Sequence, residues 1–392
     1  MIAGMRTENE MMNRRSLIGH GVRLGGGLVA ASMMPRLLQA ETLAGGKEIS
    51  GKKSLKAQAA ARGLLTGCAV DMALLGGDAG YRAVLAEQYS IVVGENCMKF
   101  KAMQPKVDSY FYDDADALVQ FAAEHAMKVR GHNFVWHEAL PEWFAGTVTK
   151  ENVRKILTDH IRAVGGRYKG KIHSWDVVNE AIWVKDGRSD GLRSSSPWFE
   201  LLGPEYLEIA FRTAREVDPK ALLTYNEYGI EYDTEEESAK RAAVLAMLRR
   251  MKAAGVPVDA LGVQSHIHAG GKAGFEKGVE ELTRGARELG LKIFITEMDV
   301  KDDALEVDDL ALRDHAVAQV YHDYLARMLN APEVKAVLTW GVSDAHTWLN
   351  HGTKFREQHP TREGRPLPFD GEYKPTEAFF ALRDSLRGAR KR

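Results

Sequence analysis

The chain is poor in cysteine, in net charge and in long apolar runs, and each shortage narrows what it can be. Only Cys68 and Cys97 occur in 392 residues, so at most one internal disulfide can form. Both fall at or near the ends of neighbouring predicted strands, where a bond is geometrically allowed, and the expectation is two buried thiols. Lys and Arg total 53 against 54 Asp and Glu, a net charge of −1, which leaves no bulk field to draw in nucleic acid or an anionic membrane. A neutral polymer is a compatible substrate. The longest weakly apolar stretch, Leu24 to Met34, is far short of the ~20 residues a membrane span needs. Internal repeats, low-complexity linkers and an appended binding module are also lacking.

The N-terminus carries Asn13-Arg14-Arg15-Ser16-Leu17, then that glycine-rich stretch, then Leu38-Gln39-Ala40. This pattern is read as a twin-arginine export signal over residues 1–40, cleaved near Ala40, with periplasmic or secreted localisation; a plain disordered tail is the alternative. Met5, Met11 and Met12 all precede the arginine pair, and a start at Met12 would give a more ordinary signal. Such export moves a folded protein, so stability could not depend on disulfides made after it. Residues 41–60 are read as an N-terminal extension and 61–388 as one catalytic domain.

Short β-branched runs alternate with amphipathic stretches through that domain. Eight predicted strands end near Val70, Asn96, Trp136, Glu180, Tyr228, His266, Asp299 and Val342. Helical periodicity covers, among others, Asp113 to Met127, Lys150 to Tyr168, Glu235 to Ala253 and Asp308 to Leu329. Ser90-Ile91-Val92-Val93 and Leu291-Lys292-Ile293-Phe294-Ile295 read as parallel strands buried on both faces. Eight alternations imply an α/β fold, a single (β/α)8 TIM barrel with its active site at the C-terminal ends of the strands. An open doubly wound sheet competes, but it does not explain why polar and aromatic residues gather at so many strand ends.

Two of those ends close on glutamate: Trp175-Asp176-Val177-Val178-Asn179-Glu180 and Ile293-Phe294-Ile295-Thr296-Glu297-Met298-Asp299. A carboxylic acid and a carboxylate on opposite sides of a sugar acetal suffice to cleave it, because one protonates the leaving oxygen while the other meets the positive charge at the anomeric carbon. No metal or organic cofactor is then required. Further fragments accompany them: Gly131-His132-Asn133-Phe134-Val135-Trp136-His137, Gln264-Ser265-His266, and Thr339-Trp340-Gly341-Val342-Ser343-Asp344 followed by Trp348. From about Leu64 to about Leu386, these motifs in this order resemble glycoside hydrolase family 10, the endo-1,4-β-xylanases.

The resemblance implies roles residue by residue. Glu180 matches the general acid/base and Glu297 the nucleophile of a retaining double displacement, in which the acid starts protonated and the nucleophile ionised. His266 matches the histidine that orients the nucleophile, with Asp299 near enough to help, and Asn179 the residue that contacts the sugar 2-hydroxyl. Gln264 belongs to the same substrate-binding set. Glu95, Asn96 and Lys99 resemble polar contacts to the non-reducing side of the glycan, although Cys97 between them departs from the family pattern. His132 and Trp136 match residues lining the reacting sugar's pocket, and His137 is read as structural. Trp340 and Trp348 fit exposed aromatic platforms, with Tyr228 on the leaving-group side. Trp143, Trp175, Trp183 and Trp198 are read as core. A His-x-His metal reading of His266-Ile267-His268 lacks carboxylate and histidine partners on other strands. The implied partners are xylan or xylo-oligosaccharides, neither nucleic acid nor membrane, with a monomer as default. The alternatives are a related retaining β-glycanase, a xylo-oligosaccharide hydrolase, or a non-catalytic glycan-binding protein.

Overall fold

The computed structural model describes residues 49–271, 273–350, 357 and 361–392. The export-signal reading of residues 1–40 lies outside them. Nine strand segments, all parallel where they pair, run in order: β1 Leu65–Val70, β2 Ile91–Gly94, β3 Lys128–Val135, β4 Ser174–Asn179, β5 Leu222–Glu227, β6 Ala260–Val263, β7 His266–His268, β8 Lys292–Lys301 and β9 Val334–Thr339. β1 to β6 each pair with the next strand along the chain, β8 pairs with β9, β6 with β8 and β1 with β9, so the sheet closes. β6 and β7 both pair with β8, at Ala260–Val263 and then at His266–His268, and are two halves of one barrel position. They are interrupted at Gln264–Ser265, where Ser265 takes a left-handed φ of +63°. The barrel therefore has eight positions, as the alternation predicts.

Eight helices wrap it: α1 Ala79–Gln88, α2 Asp113–Glu124, α3 Val153–Arg167, α4 Glu205–Val217, α5 Glu235–Ala253, α6 Glu276–Glu288, α7 Leu310–Met328 and α8 Glu377–Gly388. α5 shows why these segments start where they do. Thr234 caps it by accepting from the Glu237 N–H at 3.2 Å, and Glu235, Glu236 and Glu237 place negative charge in the first turn, where the helix dipole favours it. Leu55–Ala60, within the segment read as an extension, forms a short helix that buries Leu55 and Ala59. Strands stop slightly short of the expected ends at Asn96, Trp136, Glu180, Tyr228 and Val342, and β8 runs past Asp299. The motif residues beyond the ladders lie on the loops above the barrel mouth.

Two apolar layers result. One fills the space between strands and helices. The other lies inside the barrel and contains Ala69, Ile91, Val93, Ala260, Phe294, Ala336, Leu338 and Trp340. Both cysteines are buried free thiols, and burial pushes Cys97 up to about 12. Cys97 packs against Gly94, where an added Cβ would lie 2.3 Å from its sulfur.

Candidate active site

Glu180 follows β4 directly in a left-handed conformation, φ +58°, which costs a non-glycine residue roughly 1–2 kcal/mol and so needs outside support. Its N–H donates to the Asn226 carbonyl at 2.9 Å, and its own carbonyl accepts from Arg193 Nε at 3.0 Å. The residue is only 9% exposed. Trp136 Nε1 donates to Oε2 at 2.8 Å, while Asn179 Nδ2 and Gln264 Nε2 each donate to Oε1 at 3.0 Å. Burial pushes the carboxyl above the usual range, and the charges of Glu227 and Glu297 push it the same way; the bonds from Gln264 and Trp136 oppose them without prevailing.

Glu297 projects from β8 into a different setting. Asn226 Nδ2 donates to its Oε1 at 2.7 Å, and His266 Nε2 lies 3.4 Å from Oε2. His266 Nδ1 is 2.9 Å from Asp299 Oδ2, which also accepts from Trp348 Nε1 at 2.9 Å. Burial disfavours charging this imidazole, but the two carboxylates outweigh it and raise its pKa to about 10. Glu297 is thus clamped between an amide and an imidazolium. A raised histidine pKa adds stability that is complete below the unfolded value of about 6.5 and is lost as pH rises toward about 10. The urea midpoint of the wild type should therefore approach that of His266→Gln between those limits; a gap constant across the range would refute a charged His266.

Asn226, which the sequence reading passed over, joins the two carboxyls. Its Nδ2 also donates to Asn179 Oδ1 at 2.9 Å, and its Oδ1 accepts from Thr296 Oγ1 at 2.7 Å; the Glu297 carboxylate, which only accepts, fixes which end is amide and which carbonyl. Gly262 on β6 makes the room, since a Cβ there would stand 2.2 Å from Asn226 Oδ1. Gly262→Ala should displace Asn226 and cut kcat at least about tenfold with a smaller change in KM. An unchanged kcat in steady-state assays would remove Asn226 from the positioning network.

The remaining expected residues gather at the same mouth. Lys99 Nζ donates to Asn96 Oδ1 at 3.0 Å, and Asn96 Nδ2 to Glu95 Oε1 at 3.4 Å. The Lys99 ammonium lies 5.2 Å from the Trp136 ring centroid and 5.9 Å from that of Trp340. His132 is buried with Nδ1 2.9 Å from Asp176 Oδ2, and Asp176 is also paired with the buried Arg130. The His132 and Trp340 rings meet in a T-shaped arrangement with their centroids 5.3 Å apart. Tyr228 is half-buried, its hydroxyl accepting from Arg193 at 3.4 Å. The two platform tryptophans differ: Trp348 is 38% exposed, but Trp340 only 8%, because it caps the inner core layer beneath Lys99. Trp175 and Trp198 are core, whereas Trp183 is half-buried with Arg193 4.9 Å from its ring centroid. His137 is pushed down to about 4 by burial, then by Arg193 and Lys240. His266 and His268 turn to different carboxylates, the second to Asp303 at 3.4 Å. Besides Asn226, the sequence reading missed Thr296, Arg193 and Glu227. The polar run Asn226-Glu227 at the end of a buried strand was the available signal for two of them.

One carboxyl is driven toward its protonated form, and two asparagines connect it to a second carboxylate held by a charged imidazole; on a (β/α)8 barrel this defines a glycoside hydrolase. The sequence profile of glycosyl hydrolase family 10 matches residues 54–385, and the chain belongs to that family. It is 35% identical over 307 residues to endo-1,4-β-xylanase B of Thermotoga neapolitana, covering 78% of this chain and 83% of that one. The crystal structure of xylanase 10B from Thermotoga maritima superposes with a TM-score of 0.77 at 35% identity, over 86% of this chain and 98% of the other. Xylanase 10B of Thermotoga petrophila RKU-1, solved with xylobiose, gives 0.77 at 35% identity over 86% and 97%.

Proposed function

We propose that this protein is a retaining endo-1,4-β-xylanase that cleaves internal xylosidic bonds of xylan by double displacement. The observation that carries the reading is the contrast between the two carboxyls: Glu180 is raised by burial and neighbouring charge, while Glu297 sits against His266. Glu180 donates its proton to the leaving oxygen as Glu297 attacks the anomeric carbon, forming a glycosyl ester. Esterification removes the Glu297 charge, which had helped keep Glu180 protonated, so Glu180 can then act as base toward water. Water attacks the same carbon from the vacated face, and two inversions leave the β configuration.

In this reading Asn179 contacts the 2-hydroxyl, Gln264 and Trp136 aim the Glu180 carboxyl, His132 and Trp136 line the reacting sugar's pocket, and Glu95, Asn96 and Lys99 grip the non-reducing side. Trp348 and Tyr228 supply ring faces. The names of the relatives and the xylobiose complex support xylose as the sugar. Export through the twin-arginine route, periplasmic or beyond, and action as a monomer belong to the same proposal.

Purified protein incubated with xylan, xylohexaose and cellohexaose, with products followed by mass spectrometry and NMR from the earliest times, tests it. Short xylo-oligosaccharides released as the β-anomer are expected. Turnover of cellohexaose alone would discard the xylose assignment, initial α-anomer would discard retention, and no cleavage of any substrate would leave a glycan-binding protein.

A further inference from the structure

Glu227 ends β5 immediately before Tyr228 and is completely buried. A buried carboxylate is costly unless it is paired and hydrogen bonded. Here the ammonium of Lys240, a residue only 4% exposed, lies 2.8 Å from Oε1, and the Tyr228 N–H donates to the same oxygen at 3.2 Å. Oε2 accepts from the Tyr225 hydroxyl at 2.5 Å and from the Ile182 N–H at 3.2 Å. The Tyr225 hydroxyl in turn accepts from the Ala181 N–H at 3.1 Å. The two residues after Glu180 are therefore tied to Glu227. Lys240 reaches in from α5 and also stands 3.4 Å from the Tyr228 ring centroid, close enough for a cation–π contact on one ring face.

We propose that the Glu227–Lys240 pair is a positioning device for the leaving-group half of the site: it anchors the turn that carries Glu180 and pins one face of Tyr228, leaving the opposite face for the departing sugar. This rests on Glu180 being the acid/base. Neither residue touches the reacting atoms, so both act through others.

The charges facing Glu180 come from several elements. Glu297 on β8 and Glu227 on β5 raise it, while Lys99 after β2 and Arg193 after β4 are cations, and Lys240 on α5 acts on it by pairing Glu227; His137 after β3 is held neutral, at about 4. Removing one member of the pair leaves the other uncompensated. In Glu227→Gln the remaining ammonium stabilises the Glu180 carboxylate, so the alkaline limb of kcat/KM moves down. In Lys240→Met, Glu227 keeps three donors and its charge, so the limb moves up. The double variant replaces the pair by neutral groups and returns close to the wild type.

The experiment is kcat/KM against pH for the full chain and these three variants on xylohexaose, with 13C NMR titration of the Glu180 carboxyl alongside. Opposite displacements of roughly one pH unit in the single variants, largely cancelled in the double, are expected. Lys240→Met should also raise KM for xylohexaose several-fold, with less than about a twofold change for 2,4-dinitrophenyl β-xylobioside, which places no sugar beyond the cleaved bond. A limb that stays put, moves the same way in both variants, or a KM that rises equally for both substrates would overturn the proposal. If either single variant lacks native near-UV circular dichroism, the other and the double still decide the sign. Should the wild type cleave nothing, the proposed function falls, while the carboxyl titration still decides the pair.

Discussion

Glu297→Gln is expected to lose turnover of xylan by about 10⁵-fold, the scale seen when a covalent catalyst loses its nucleophile, while xylohexaose binding weakens only modestly. The amide nearly matches the carboxylate in shape; its oxygen can accept from Asn226 Nδ2, and its NH2 can donate to His266 Nε2 once that ring is neutral, so the groove should stay intact; what disappears is the oxygen that attacks. Isothermal titration with xylohexaose, paired with product analysis, separates the effects. Loss of binding in step with activity would mean that Glu297 organises the groove rather than reacting, and full activity would refute the nucleophile assignment outright. His266 adds a detail: without the Glu297 charge one of the two groups raising its pKa is gone, so the histidine should titrate lower in the variant.

Glu180→Ala should divide substrates by their leaving groups. On xylan, where the departing alkoxide needs a proton, a loss of about 10²–10⁴-fold is expected. With 2,4-dinitrophenyl β-xylobioside the phenolate leaves unaided, so the glycosyl ester on Glu297 forms quickly and then accumulates, because no base activates water. A burst of dinitrophenolate followed by slow turnover is the signature. Azide needs no base: it attacks the anomeric carbon, the ester bond breaks, the Glu297 carboxylate departs and a β-xylobiosyl azide is released. Rate acceleration by azide and recovery of that azide are expected, and deglycosylation as fast as in the wild type would sink the acid/base role. The alkaline limb of the wild-type profile should vanish as well, since it reports the raised Glu180 carboxyl.

The barrel was legible because its strands are buried on both faces and its helices on one. Ile91-Val92-Val93 and Ile293-Phe294-Ile295 had to be apolar throughout, whereas Glu235–Ala253 had to alternate with helical period, and those demands are written locally. The two glutamates were legible because each stands inside a longer motif; a carboxylate that merely ends an apolar run can equally be one half of a structural ion pair, as Glu227 is with Lys240. Asn226 was not, since an asparagine after Tyr225 looks like an ordinary loop entry until Asn179, Thr296 and Glu297 converge on it from other strands. The split of the sixth barrel position also escaped, because Ser265 is not a residue that announces a left-handed φ.

By itself, then, the sequence determined which segments become strands and helices, that they alternate eight times, and that two glutamates lie toward the C-terminal ends of the fourth and seventh barrel positions. Only the tertiary structure decided how those glutamates differ. Glu180 is buried among neutral donors with Glu227 nearby, and Glu297 faces an imidazolium. The reason is that a pKa depends on charges and donors brought close by barrel closure, from residues as far apart in the chain as Trp136 and Gln264, Asn226 and Glu297, and spacing along a chain does not encode which of them will meet.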